Sequence, residues 1–245
     1  MPRKPRYQLP GVACHVVQRV AGGVEGFASD ADCRFFLECL RESAFGYTCL
    51  IHAYVLMPDH VHLLLTPADG DGVSRMMQSV GRRYVQHFNR EHGRSGSLWA
   101  GRYRASLVES GAPLLDCQRY IETNPLRHAL VDRADGYRWS SCAWHLGGRN
   151  DRLVADHPSY HHLGDSAAER RRRYAELLCR ELPPRRLQHI RETLNAGMPL
   201  GSDDFHRRIE SELRLALGHL HRGRPRKRGQ REPAQRRQAQ ATEPA

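Results

Sequence analysis

The chain has 245 residues, 40% of them hydrophobic and only 7% aromatic, enough for one sizeable core or for one domain of about 150 residues with a smaller appendage. Lysines and arginines number 38 against 27 acids, a formal charge of +11 with a pI near 9.7, which points to a polyanion as partner. No apolar run approaches the roughly 18 residues of a membrane span, the opening Met1-Pro2-Arg3-Lys4-Pro5-Arg6 leads into no signal-peptide core, and seven scattered cysteines without a C-x-x-C pair argue against a disulfide framework or a zinc cage, so a cytoplasmic nucleic-acid-binding protein is expected.

Cys14 to Val20 is a short β-prone run with alternate valines, and Asp30 offers an N-cap for a helix carrying Phe35, Phe36, Leu40 and Ala44. Two apolar runs, Cys49 to Met57 and Val61 to Thr66, flank Pro58-Asp59, a turn signal that predicts an antiparallel hairpin. Over residues 73–92 the apolar positions Val73, Met76, Met77, Val80, Tyr84, Val85 and Phe88 recur at helical spacing, with Gly93 as terminator. Residues 103–109 predict a further strand, and Pro113 opens a helix that Pro125 ends. The order β-α-β-β-α-β-α predicts an α+β fold, a ferredoxin-like split βαβ antiparallel sheet with flanking helices, over residues 7–147. Beyond Gly147-Gly148, helical patterns near 167–180, 184–196 and 203–220 predict a small C-terminal helical region spanning 148–220. Residues 221–245, rich in Arg, Gln, Pro and Ala without apolar periodicity, predict a disordered basic tail.

The sharpest chemical feature is Met57-Pro58-Asp59-His60-Val61-His62. Alternate strand residues share a face, so His60 and His62 can hold one ligand while Val61 turns to the core. Neutral imidazoles suit a divalent metal, and two of them leave positions open for a third protein ligand, water or a phosphate oxygen. An isolated H-x-H pair reads equally well as two partly exposed strand histidines. In Arg119-Tyr120-Ile121-Glu122-Thr123-Asn124-Pro125, Tyr120 and Asn124 lie one helical turn apart. Asn124, at the helix end, could offer its carboxamide oxygen as a third ligand beside a tyrosine aimed at bound phosphate, while Glu122 points elsewhere. Taken alone, Tyr120 reads as a half-buried tyrosine with a bonded hydroxyl.

Together, His60-Val61-His62, Leu98-Trp99-Ala100-Gly101-Arg102-Tyr103, Tyr120-Ile121-Glu122-Thr123-Asn124-Pro125 and Trp139-Ser140-Ser141 resemble, in order and spacing, the REP-associated tyrosine transposases of the HUH superfamily. The resemblance implies a nucleophilic Tyr120, metal ligands His60, His62 and Asn124 for magnesium or manganese, and single-stranded, hairpin-bearing DNA as substrate. It implies cleavage and rejoining through a 5′-phosphotyrosine linkage with a free 3′-hydroxyl. No nucleotide hydrolysis is then needed, which agrees with the lack of a P-loop pattern; neither a small-molecule substrate nor a membrane partner is expected. The chain departs from the family where Arg19-Val20-Ala21-Gly22-Gly23-Val24-Glu25-Gly26 replaces an Arg-Gly-Asn-type segment, and where Asp59 stands in place of asparagine. The first departure puts DNA contacts there in doubt; the second adds negative charge near the metal without removing a ligand.

Arg75, Arg82, Arg83, Arg94, Arg102 and Arg104 surround Trp99 and Tyr103, the mixture of charge and rings expected of a single-strand groove, with Arg102 the leading contact. Trp99 as a core anchor and the arginines as a solvated face are equally open. Arg222, Arg224 and Arg226, in Arg222-Gly223-Arg224-Pro225-Arg226-Lys227-Arg228, resemble an AT-hook or serve as a non-specific basic tail. Two competing functions stay open: a domesticated regulator that binds repetitive palindromes without cutting, and a phosphoesterase with water as nucleophile. So does the choice between monomer and homodimer.

Overall fold

The computed structural model describes residues 6–217, so the predicted tail lies outside the described residues. The elements are β1 (Ala13–Arg19), α1 (Asp30–Gly46), β2 (Cys49–Met57), β3 (His60–Pro67), α2 (Gly72–Glu91), β4 (Arg104–Val108), α3 (Ala112–Glu122), α4 (Asn124–Arg127), α5 (Cys142–His145), α6 (Pro158–His161), α7 (Ala167–Cys179), α8 (Pro184–Ala196) and α9 (Asp203–Leu213), with one 3₁₀ turn at Ala134–Gly136.

The four strands form one antiparallel sheet in the order β2-β3-β1-β4, the α+β split βαβ plan read from the sequence. Both faces are covered, which is why the strands read as nearly continuous apolar runs rather than strict alternations. On one face, α1 and α2 pack Phe36, Leu40, Met76, Val80 and Tyr84 against Val16, Tyr54, Leu63 and Leu65. On the other, α3 and α8 pack Leu114, Cys117, Ile121 and Ile190 against Ala13, Val55, Met57 and Leu64. Each fully buried aliphatic or aromatic side chain contributes about 1.5–3 kcal/mol. A bulge between Ile51 and Ala53 advances β2 by one residue, so Ile51 faces α1 whereas Ala53 faces α3.

Pro58-Asp59 closes the β2-β3 hairpin as predicted, and its two carbonyls are used again: Val20 N–H donates to Asp59 and Gly26 N–H to Pro58. The loop after β1 is thereby fastened to the hairpin tip. Two family-like segments have structural work at the sheet margins. Trp99 bridges to Val20, and the carbonyls of Leu98 and Arg19 accept from Ala21 and Ala100. Along the outer side of β2, Leu56 N–H donates to Trp139 and Ser141 N–H to Tyr54, while Tyr54 N–H donates to the Ser141 hydroxyl.

Three local expectations are corrected. Ser29, not Asp30, caps α1: its hydroxyl accepts from Asp32 N–H while the Asp32 carboxylate accepts from Ser29 N–H, a reciprocal capping box. The helix expected over 203–220 ends at Leu213, because Arg214 turns left-handed (φ 51°) and Leu215 N–H returns to the Glu210 carbonyl. The helix expected to run to Pro125 stops at Glu122; Pro125 sits in the first turn of the separate α4, where its missing N–H costs nothing.

Residues beyond 147 lie against the same sheet. Val154 bridges to Ile51, Leu200 bridges to Val108, and Leu182, Ile190 and Leu200 join the apolar layer beneath α3. No helix among the described residues is long and apolar enough to cross a membrane.

Candidate active site

Strand parity assembles the site. His60 and His62 of β3 and His15 of β1 all fall on the face covered by α3, beside the apolar residues packed there and with Arg19 and Ser106 as their cross-strand neighbours. The His60 and His62 rings lie 4.9 Å apart and perpendicular, and the Tyr120 ring of α3 stands edge-on to His62 at 5.7 Å. Asn124, at the start of α4, brings its Nδ2 to 3.3 Å from His60 Nε2. The four residues singled out by sequence, Tyr120, His60, His62 and Asn124, thus meet in one contiguous buried cluster, none more than 6% exposed.

Their outer partners fix which nitrogens face inward. His60 Nδ1 lies 2.6 Å from Asp59 Oδ1, so Nδ1–H donates to the carboxylate and Nε2 keeps its lone pair. His62 Nδ1 lies 2.9 Å from His15 Nε2. Burial lowers His60 below its ordinary value, opposed by Asp59 and assisted by Arg19 and His128. Burial lowers His62 much further, with His15, His60, Arg19 and Arg127 adding to it, and burial alone takes His15 to about 3. All three imidazoles are therefore neutral at pH 7, the form that binds metal. Burial would raise Asp59, but the hydrogen bond from His60 holds it below the ordinary carboxylate range.

The donor set fits a divalent cation. Asn124 Oδ1 is buried and accepts no hydrogen bond, and a half-turn of the carboxamide would exchange it with the Nδ2 now facing His60 Nε2, presenting an oxygen ligand beside the imidazole. Among the described residues no group of three or more His, Cys, Asp or Glu is placed to hold a metal, so a cation here would depend on the two imidazoles and the amide together. Positive charge surrounds the cluster. The Arg127 guanidinium lies 4.5 Å from the Tyr120 ring centroid and donates to the Tyr120 carbonyl at 2.6 Å; burial pulls it down to about 10, leaving it cationic at neutral pH. Arg19, paired with His60 across the sheet, lines a small cleft with Arg102 and Arg104.

The expected DNA contacts fare unevenly. Arg102 is exposed and also borders a larger cavity of about 400 Å³ with Arg6, Arg104 and Asn195. Tyr103 is buried, its hydroxyl bonded to Gln8 and Ser74 and its ring covered by Arg6 at 3.8 Å. Trp99 packs its ring on Tyr84 and Phe36, on the α1-α2 side, as a core anchor would. Arg82 and Arg83 belong to α2, across the sheet from Tyr120, and Arg83 pairs with Glu42. Arg222, Arg224 and Arg226 lie outside the described residues.

Sequence reasoning missed His15, Arg127 and Glu122. His15 was marked by its place two residues before Val17 in a valine-rich strand, and Arg127 by standing seven residues after Tyr120, two turns along the same side. Glu122 does point away from the metal-type cluster, but into a second buried network: its carboxylate accepts from Ser141 Oγ at 2.5 Å, His145 Nδ1 at 2.6 Å and Tyr174 Oη at 2.7 Å. Burial and the Glu122 charge push Tyr174 well above its ordinary value, so it remains a donor.

Residues 11–124 match the family model described as "Transposase IS200 like". A protein of Haemophilus influenzae described as a REP-associated tyrosine transposase is 25% identical over 114 residues, covering 40% of this chain; the chain spans 65% of that relative's length. A solved REP-associated tyrosine transposase bound to a REP hairpin superimposes with a TM-score of 0.50 over 64% of this chain and 99% of that one, at 16% identity, which shows a shared fold. Sequence model, relative and fold agree with the motifs: over its first half the chain is similar to the IS200-like transposases, and among them to the REP-associated tyrosine transposases.

Proposed function

We propose that this protein is a single-tyrosine transposase that cleaves and rejoins single-stranded, hairpin-bearing DNA with Tyr120 as nucleophile. The observation that carries this reading is the convergence of Tyr120, His62, His60 and Asn124 in one buried cluster flanked by Arg19 and Arg127. In the cleavage step the Tyr120 hydroxyl loses its proton, its oxygen forms a bond to phosphorus, and the bond from phosphorus to the 3′-oxygen breaks, that oxygen taking up a proton to become a free 3′-hydroxyl. The 5′-phosphate remains on Tyr120, and rejoining is the reverse, so no nucleotide is consumed.

His60, His62 and Asn124 would hold magnesium or manganese. When bound, the cation supplies Lewis-acid polarisation of the scissile phosphate. Arg127, beside the Tyr120 ring, sets positive charge where the scissile phosphate would meet the nucleophile, and Arg19 with Arg102 neutralises the incoming phosphates. In this reading residues 7–147 carry the chemistry, and α7, α8 and the link between them buttress α3 from behind through Tyr174, Ile190 and Leu182. The REP hairpin bound by the solved relative suggests folded repetitive palindromes as substrates here.

The test incubates wild type, Tyr120→Phe, His60→Ala and His62→Ala with end-labelled, hairpin-bearing single-stranded DNA and Mn²⁺, then separates products on a denaturing protein gel. A protein-DNA adduct is expected for wild type only. Binding without cutting would identify a non-cleaving regulator; cleavage by Tyr120→Phe without adduct would identify water as the nucleophile; either outcome overturns the proposal.

A further inference from the structure

His15 is the one member of the buried histidine cluster without a role in the reading above. It is 1% exposed, in the second strand from the sheet edge, beside the apolar Ala13, Val55, Leu64, Leu114 and Cys117, with the Tyr120 ring edge-on at 5.8 Å and Ser106 directly opposite on β4, its hydroxyl committed to the Met198 carbonyl. An imidazole in such a layer costs free energy unless its nitrogens are bonded, and leucine or valine would fill the space without that cost. Its bond is specific: Nε2 sits 2.9 Å from Nδ1 of His62, with ring centroids 5.0 Å apart. The register explains the pairing, because Val17 stands directly opposite His62 and His15 opposite Leu64, which sets the two imidazoles on a diagonal of the same face.

Two neutral imidazoles meeting nitrogen to nitrogen share a single proton. If it sits on His15 Nε2, then His62 must carry its own proton on Nε2 and has no lone pair to offer there. If it sits on His62 Nδ1, Nε2 of His62 is free. His60 is already fixed in the equivalent state, its Nδ1–H directed at Asp59. We infer that His15, its own proton on Nδ1, is a positioning residue that accepts the Nδ1–H of His62 and so holds both histidines in the same tautomer, with a lone pair on each Nε2 for one divalent cation once the Asn124 amide turns its oxygen rather than its Nδ2 toward His60. Outer partners of this kind orient metal-binding imidazoles and fix their tautomer. Here the two ligands of an H-x-H pair use different partners, a carboxylate at the hairpin tip and a third histidine in the sheet interior. The inference rests on the reading of His60 and His62 as metal ligands.

The test compares wild type with His15→Leu and His15→Gln, the second retaining a side-chain acceptor. Mn²⁺ affinity is followed by electron paramagnetic resonance of the free ion, the tautomer of His62 by ¹⁵N NMR of the imidazoles in metal-free protein, and stability by thermal melting without metal. The expected result is a 10–100-fold loss of Mn²⁺ affinity in His15→Leu, partial recovery in His15→Gln, an unchanged or higher melting temperature for the leucine variant, and the Nδ1–H form of His62 in wild type. Unchanged Mn²⁺ affinity in His15→Leu, or the Nε2–H form of His62 in wild type, overturns the inference. A wild-type protein that takes up no Mn²⁺ defeats the underlying metal reading, and the NMR measurement then still decides the role of His15.

Discussion

Replacing Glu122 by alanine removes a fully buried carboxylate and leaves His145 Nδ1 and Tyr174 Oη facing a cavity with nothing to accept their protons, while Ser141 Oγ falls back on the Tyr54 carbonyl at 3.3 Å. Each buried donor stranded in this way costs about 1–3 kcal/mol, so two of them set a lower bound of about 2 kcal/mol. Breaking one side of a buried charged network costs about 3–5 kcal/mol in general, and we expect that range here, since water entering the vacated space will satisfy part of the deficit. Set against a total domain stability of about 5–15 kcal/mol, the loss is severe. With a urea slope of about 3 kcal/mol per M, the unfolding midpoint should fall by more than about 1 M. Tyr174→Phe, which leaves the carboxylate two donors, should cost only about 1.5–3 kcal/mol. Equilibrium urea unfolding followed by tryptophan fluorescence measures both. A midpoint shift below about 0.3 M for Glu122→Ala would refute the claim that this network joins α3 to α5 and α7.

The remaining expectations concern pH and DNA. His15, His60 and His62 are all depressed by burial below the unfolded value of about 6.5. Above that pH both states are neutral and these groups contribute nothing; below it the unfolded chain takes up protons that the folded one refuses, so stability falls as pH drops from about 6.5 towards 3. The slope is about 1.4 kcal/mol per pH unit for each histidine held neutral, and His15→Leu should remove one histidine's share from urea unfolding curves at pH 7.5, 6 and 5; equal pH dependence in the two proteins would contradict the burial of His15. Arg102→Ala should weaken single-stranded DNA binding and reduce the salt dependence by about one counterion, whereas Trp99→Ala should leave the salt slope intact and cost about 3 kcal/mol of stability, as measured by fluorescence-anisotropy titrations at several salt concentrations and by thermal melting.

What the sequence made legible depended on how local each signal was. The period of two along β3 put His60 and His62 together, and one helical turn put Asn124 with Tyr120, because both relations are fixed by backbone geometry within a few residues. That β3 and α3 face one another follows from the order of the elements, which the composition of the runs and turns encodes well. His15 escaped because a lone histidine among valines carries no sign of depth until β1 is set between β3 and β4. The partners of Glu122 lie 19, 23 and 52 positions further on, and no periodicity spans such distances. The cap of α1 was misplaced by one residue because Ser29 and Asp30 are both good caps, and only the reciprocal bond with Asp32 separates them. Trp99 beside arginines looked like a stacking platform; its neighbours Tyr84 and Phe36 come from two different helices.

The bridges along the sheet's margins bear on how copies of this chain behave at high concentration. An outer strand normally offers a row of free amides and carbonyls to which another chain can add, the commonest path from a folded sheet to a swapped dimer or an aggregate. Here β2 is already engaged by Ser140 and Val154, and β4 by Leu200. Strand addition by a neighbour at these positions would first have to peel these segments away.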